Sequence, residues 1–210
     1  MGFARGGQAM GRYVRKLGAG LSGILQFKGR MALHDFWPYA ITLVLVLYGL
    51  GTLCGVWVYF EMLQRFGMTA WDGDATFTDA QVQDVLAFFE DVFRLAIPYA
   101  AVSMALHVVL LAAAIVRRLH DTGRTGAWVL MPLPFGLYGL YVMDRLLTSV
   151  PQLIRAEGQD PVVFAFMAEI TWAACAALLW LAALFVLIVF LCGRGQPQQN
   201  RYGPPPIPIQ

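Results

Sequence analysis

The chain has 210 residues, of which 59% are hydrophobic and 13% are charged, and its formal net charge is +2. The charged share is about half of that in soluble domains, so lipid must cover part of the apolar surface, and the small net charge argues against a nucleic-acid partner. Its three cysteines lie in or beside apolar runs, and their spacing predicts neither a disulfide framework nor a zinc site.

Residues 1–35 are a basic arm without the apolar region of a cleavable signal peptide. Apolar residues recur in it at helical spacing: Tyr13, Val14, Leu17, Leu21, Ile24 and Leu25. This pattern predicts an amphipathic helix on the inner leaflet, attracted by anionic lipid at about 1 kcal/mol per basic residue. Gly18, Gly20 and Gly23 weaken such a helix, so a disordered basic arm is the alternative.

The first membrane span is predicted over residues 36–60, an uncharged stretch long enough to cross a bilayer. Within it, Gly51 and Gly55 form a GxxxG spacing that permits close helix contact, inside the bundle or in a homodimer. In the following loop, residues 78–81 read Thr-Asp-Ala-Gln, a capping box. We expect it to begin an amphipathic helix over residues 82–93, lying on the outer surface and leading into the next span at Pro98.

The second span, residues 97–116, ends in a charged hairpin tip that reads Arg-Arg-Leu-His-Asp-Thr-Gly-Arg-Thr-Gly over residues 117–126. Asp121 falls in the last helical turn, where a carboxylate opposes the helix macrodipole and needs cationic neighbours. The candidates for that role are Arg30, Arg117, Arg118 and Arg124. We expect Gly123 to adopt the left-handed conformation that ends the helix, and Thr125 to cap the next one.

The third span, residues 127–143, is interrupted by Pro132 and Pro134, which membrane helices tolerate when neighbours satisfy the freed backbone groups. The fourth span is predicted over residues 171–191. Residues 192–210 are a proline-rich tail, in which residues 196–210 are expected to be extended, polyproline-like and solvated. A docking peptide is the alternative.

The distribution of Lys and Arg predicts the orientation of these spans. The N-terminal arm is basic, whereas the loop over residues 61–96 has only Arg65 and Arg94 among many acids. The hairpin tip is basic again, residues 144–170 are acidic on balance, and the tail has basic residues only. This alternation indicates both termini in the cytoplasm. The predicted fold is therefore an all-α, multi-pass membrane protein with four transmembrane helices and two interfacial amphipathic helices.

A polar pocket is predicted where the first three spans reach the cytoplasmic face. Its candidate residues are Arg30, Arg117, Arg118, His120, Asp121 and Arg124. Forked arginine donors suit phosphate, so the expected ligand is an anionic lipid headgroup and the expected partners are membrane lipids. The alternative is an ion-pair network that only locks the hairpin.

No catalytic, cofactor or metal motif is recognisable, so we expect a non-enzymatic protein without a cofactor. Two His-Asp pairs, at residues 34–35 and 120–121, lack a metal signature, and the nearby arginines repel cations. Two other functions stay open. His107 near mid-membrane and the proline-broken third span are compatible with transport by a homo-oligomer, and the outer helix is compatible with a scaffold that binds a protein partner.

Three stretches of the chain, in the same order, resemble the YhaH/YhaI-like family of bacterial inner-membrane proteins, a domain of unknown function. They are residues 27–30 (Phe-Lys-Gly-Arg) followed by Asp35-Phe36-Trp37, residues 117–128, and Gln196-Pro197 with Asn200-Arg201-Tyr202-Gly203-Pro204. The resemblance implies a multi-span inner-membrane protein and supplies no reaction, substrate or cofactor. It marks as motif positions Arg30, Arg117, His120, Asp121, Gly123 and Gly126.

Overall fold

The computed structural model describes residues 2–66, 79–155 and 160–207. Five α-helices and one 3₁₀ helix follow one another: α1 Gly2–Ser22, α2 Leu33–Phe66, α3 Asp79–Asp121, the 3₁₀ helix Gly126–Leu130, α4 Leu133–Arg155 and α5 Asp160–Cys192. Within these ranges the extended pairing is limited to one isolated bridge, between Asn200 and Gly203. The predicted all-α fold is confirmed.

Four helical segments are long and apolar enough to cross a membrane: Leu33–Arg65, Gln83–Asp121, Gly126–Val150 and Pro161–Cys192. Each contains one of the predicted spans and exceeds the roughly 20 residues that a bilayer requires. Large apolar side chains are exposed on the surfaces of these segments. Examples are Leu45, Leu178 and Phe185, which are 65%, 67% and 67% exposed. Such surfaces suit a lipid environment.

Two predicted elements take a different form in the structure. The amphipathic run over residues 82–93 is the first part of α3, a single helix of 43 residues that includes Pro98, and Thr78 of the expected capping box lies outside the described residues. The third span begins as the 3₁₀ helix, because Pro132 and Pro134 have no N–H for a regular α-helical ladder. Met131 N instead donates to Trp128 O at 3.2 Å, and Thr125 makes no side-chain cap.

The chain forms two compact units. The first comprises Met1–Val46, Met104–Tyr138 and Ala176–Gln210, and the second comprises Leu47–Ser103 and Gly139–Cys175. The core of the first unit is built from buried side chains of α2, α3 and α5, among them Phe36, Tyr39, Leu119 and Leu187. The Tyr39 hydroxyl donates to Leu110 O at 2.7 Å, which ties α2 to α3.

Gly20 permits a close approach of α1 to α2. A methyl group at Gly20 would overlap the Tyr39 ring of α2, whereas Gly18 has no neighbour within 4 Å. Leu17 packs against the core of the first unit, and Lys16 Nζ donates to His34 O at 3.0 Å. One side of α1 is therefore fitted to the start of α2.

Gly20→Ala should weaken the docking of α1, because the added methyl group has no room beside Tyr39; overpacking of this kind costs about 1–3 kcal/mol. The matched control Gly18→Ala should be neutral or stabilising by up to about 1 kcal/mol, since alanine favours a helix. Thermal unfolding in detergent measures both. Equal melting temperatures for the two variants would show that α1 is not docked in this way.

Candidate functional site

The C-terminal end of α3 sets the position of the candidate site. Gly123 has φ of +79°, as predicted. Its N–H donates to His120 O at 3.1 Å, and Arg124 N donates to Leu119 O at 2.9 Å. These two bonds form a Schellman motif, which ends α3 and fixes Asp121 in its last turn.

The Asp121 carboxylate is shared by two arginines. Its Oδ1 accepts hydrogen bonds from Arg30 Nε at 3.0 Å and Arg30 Nη2 at 2.8 Å, and its Oδ2 accepts one from Arg118 Nη1. The side chains of Arg30 and Arg118 are each 1% exposed, and that of Asp121 is 4% exposed. We call these three residues the Asp121 cluster. Its hydrogen bonds join groups of opposite charge and are therefore strong.

Both arginines also donate hydrogen bonds to backbone carbonyls. Arg118 donates to the carbonyls of Met31 at 3.4 Å, Leu191 at 2.9 Å and Gly193 at 2.5 Å. Arg30 donates to those of Gln196, Gln198 at 2.8 Å and Gly203 at 3.4 Å. All three nitrogens of each guanidinium group therefore have protein acceptors. This saturation favours the architectural interpretation for these two arginines.

The cluster brings three distant stretches of the chain together. Met31 N donates to Arg117 O at 3.0 Å, and Gln196 N donates to Asp121 O at 2.9 Å. Residues 27–31, 117–126 and 196–203 are thus joined, and each range overlaps one of the stretches that carry the family resemblance. The expectation of a wholly solvated tail is wrong for residues 196–203, because their carbonyls supply the acceptors that the buried Arg30 needs.

His120 holds the same tail segment. Its ring stacks on that of Tyr202 at 3.7 Å between centroids, with 8° between the planes. Its Nδ1 donates to Gly29 O at 3.2 Å, and its carbonyl accepts from Asn200 Nδ2 at 2.9 Å. His120 therefore links the arm and the tail to the end of α3.

Among the described ion pairs, Asp121 is joined to Arg30 and Arg118 and not to Arg117 or Arg124, contrary to the expectation that all nearby arginines share it. Arg117 is half-buried, and its bonds to Ala113 O and Gly23 O are long, at 3.3 and 3.4 Å. Arg124 lies over the Phe190 ring at 4.4 Å. The tip arginines thus divide into one that builds the cluster and two that stay outside it.

Arg117 lines a cavity of about 120 Å³ in the first unit, which we call the Arg117 cavity. Its walls come from α1, the start of α2, the end of α3 and the tail: Ala19, Arg30, Met31, Ala32, Asp35, Arg117, Pro206 and Ile207. Asp35 is a buried carboxylate that the sequence did not single out for this site, since its role depends on where α1 and the tail fold.

A second cavity, of about 200 Å³, lies in the second unit and was not predicted. It is lined by Arg145, Thr148, Ser149, Gln152 and Glu169. Arg145 Nη2 and Glu169 Oε1 are 2.9 Å apart and join α4 to α5. No motif signals this pair, because 24 residues separate its members. In the described ranges, no group of three or more His, Cys, Asp or Glu could hold a metal ion.

Comparison with known proteins gives one match. Residues 24–204 match the family described as "Protein of unknown function (DUF805)". No curated protein and no solved structure matches the chain. The matched range includes all three stretches that the Asp121 cluster joins.

Asp121→Asn should destabilise the first unit strongly. It would leave two buried guanidinium groups without a carboxylate, and breaking a buried ion pair costs about 3–5 kcal/mol. Glu90→Gln is the matched control, because it removes one charge of the exposed Arg94–Glu90 pair, which water screens. Unfolding in detergent distinguishes them, and a similar small effect for both would contradict a structural role of the cluster.

Proposed function

Because the chain belongs to the DUF805 family of proteins of unknown function, we propose a function from its own geometry. It is a non-enzymatic, multi-pass protein of the bacterial inner membrane, with both termini in the cytoplasm. Its Arg117 cavity binds the anionic phosphate of a lipid headgroup. The Asp121 cluster, His120 and the docked tail position this cavity.

The proposed orientation is supported by the distribution of charge along the four apolar helices. The basic arm, the hairpin tip and the basic tail belong to one side, and the acidic segments belong to the other. α1 presents exposed Arg12 and Arg15 together with exposed apolar side chains such as Met10 and Val14. A helix with both kinds of surface suits the headgroup region of the inner leaflet.

Arg117 supports the assignment of the ligand. No described residue accepts a hydrogen bond from its Nη1, and its two protein contacts are long. A half-buried guanidinium group with an unused donor beside a cavity suits an anion, and phosphate accepts such forked donors well. Arg30 and Arg118 are occupied by Asp121 and by carbonyls, so Arg117 is the arginine that carries the proposal.

The position of the cavity favours a lipid over a soluble anion. Asp35 lies in the first turn of α2, and Arg117 lies near the end of α3. Both residues adjoin the ends of long apolar segments, where the headgroups of the bilayer lie. Transport by a homo-oligomer and a scaffold role of the outer segments stay predictions.

Arg117→Gln should weaken the binding of phospholipid about tenfold, since a hydrogen bond to a charged group is worth more than a neutral one. Native mass spectrometry of the full chain measures the bound lipid, with a phosphate-free glycolipid of the same acyl chains as reference.

Arg124→Gln is the matched control, because it removes a tip arginine that packs on Phe190 and does not line the cavity. It should retain phospholipid. Equal losses of bound phospholipid in the two variants would show that general surface charge causes the effect. Undiminished phospholipid binding in a folded Arg117→Gln variant would refute the proposal.

A further inference from the structure

Asp35 gives the Arg117 cavity a negative wall. Its side chain is 6% exposed, and its Oδ1 has no hydrogen-bond partner among the described residues. Lys16 Nζ lies 3.0 Å from Oδ1 as an ionic neighbour without hydrogen-bond geometry, and His34 Nε2 lies 3.4 Å from Oδ2. Asp35 is therefore partly compensated in charge but incompletely hydrogen-bonded.

An incompletely bonded buried carboxylate is unusual. Buried side-chain polar atoms nearly always have a partner, and an ionised carboxylate offers about four acceptor positions. Lys16 Nζ donates to His34 O at 3.0 Å and forms an ion pair with Asp35, so it compensates the charge of the carboxylate without filling all of its acceptor positions. The free acceptor capacity at Oδ1 suits a donor that carries positive charge.

The cavity thus combines charges of both signs with small and apolar surfaces. Arg117 supplies the positive group, Asp35 supplies the negative one, and Ala19, Met31 and Ala32 supply apolar lining. Its volume of about 120 Å³ has room for a few water molecules or one small headgroup. A group with only negative charge would meet repulsion from Asp35, whereas a compact zwitterion complements both walls.

We propose that the cavity binds an aminophosphate of the phosphoethanolamine type, with its phosphate on Arg117 and its primary ammonium on Asp35. This inference rests on the proposed function and narrows its ligand. A primary ammonium has three N–H donors for the carboxylate, whereas a trimethylammonium group has none. The cavity should therefore prefer ethanolamine headgroups over choline and glycerol headgroups.

The test is competition between headgroups on the full chain. Phosphatidylethanolamine, phosphatidylcholine and phosphatidylglycerol with the same acyl chains are mixed in equal amounts, and native mass spectrometry measures the bound fractions. Wild-type protein should retain the ethanolamine lipid about tenfold over each of the others. Asp35→Asn should bring the three close to equality while phospholipid binding persists.

Lys16→Gln provides a change in the opposite direction. It removes the ammonium group nearest Asp35, so the carboxylate should depend more on the ligand and the preference for ethanolamine should rise. This variant also decides the matter if Asp35→Asn fails to fold. A purely structural Lys16–Asp35 pair would lower stability in both variants without changing the ratio of headgroups, which would overturn the inference.

Arg117→Gln separates the two proposals. Loss of all phospholipids in that variant, combined with no headgroup preference in the wild type, would support phosphate binding and reject the aminophosphate. Free phosphoethanolamine, added without lipid, distinguishes the sources of the same chemistry. Binding of the lipid alone supports a headgroup, binding of the free compound supports a soluble ligand of the same class, and binding of neither rejects the class.

Discussion

The need to neutralise one buried carboxylate organises the helix ends around the hairpin tip. Asp121 lies at the C-terminal end of α3, where the negative end of the helix macrodipole repels its carboxylate. Arg30 and Arg118 compensate both. Each guanidinium group is itself buried, however, and its other N–H groups need acceptors, because an unsatisfied buried donor is costly. The carbonyls of residues 31, 191, 193, 196, 198 and 203 supply them, and this brings the arm and the tail to the tip.

These requirements give the two adjacent arginines of the hairpin tip different roles. Arg117 and Arg118 are adjacent in sequence, yet one helical residue corresponds to a rotation of about 100°. Arg118 points into the cluster and uses its donors there, whereas Arg117 points to the cavity and uses few. A basic motif on a membrane protein is therefore not a single anion site. Its arginines have to be assigned one at a time, by counting the acceptors that each already has.

The sequence was sufficient for features that depend on local composition. Apolar length predicted the four long helices, and the residue type at 123 predicted the end of α3, since both follow from side chains within a few turns. Docking of the tail could not be predicted, because it depends on backbone carbonyl groups, which every residue type carries. The fit of α1 was also hidden: Gly20 reads as a weak helix former until Tyr39 is placed beside it.

The acceptors of the Asp121 cluster also imply an order of assembly. Translation proceeds from the N-terminus, so Arg30, Arg118 and Asp121 are made before α5 and before residues 191–203, which supply most of the carbonyls that both arginines use. Until residues 191–203 have been synthesised, the two guanidinium groups lack these acceptors. The helix ends around the hairpin tip can therefore close only after α5 and residues 191–203 have been synthesised, which makes this closure a late step of folding.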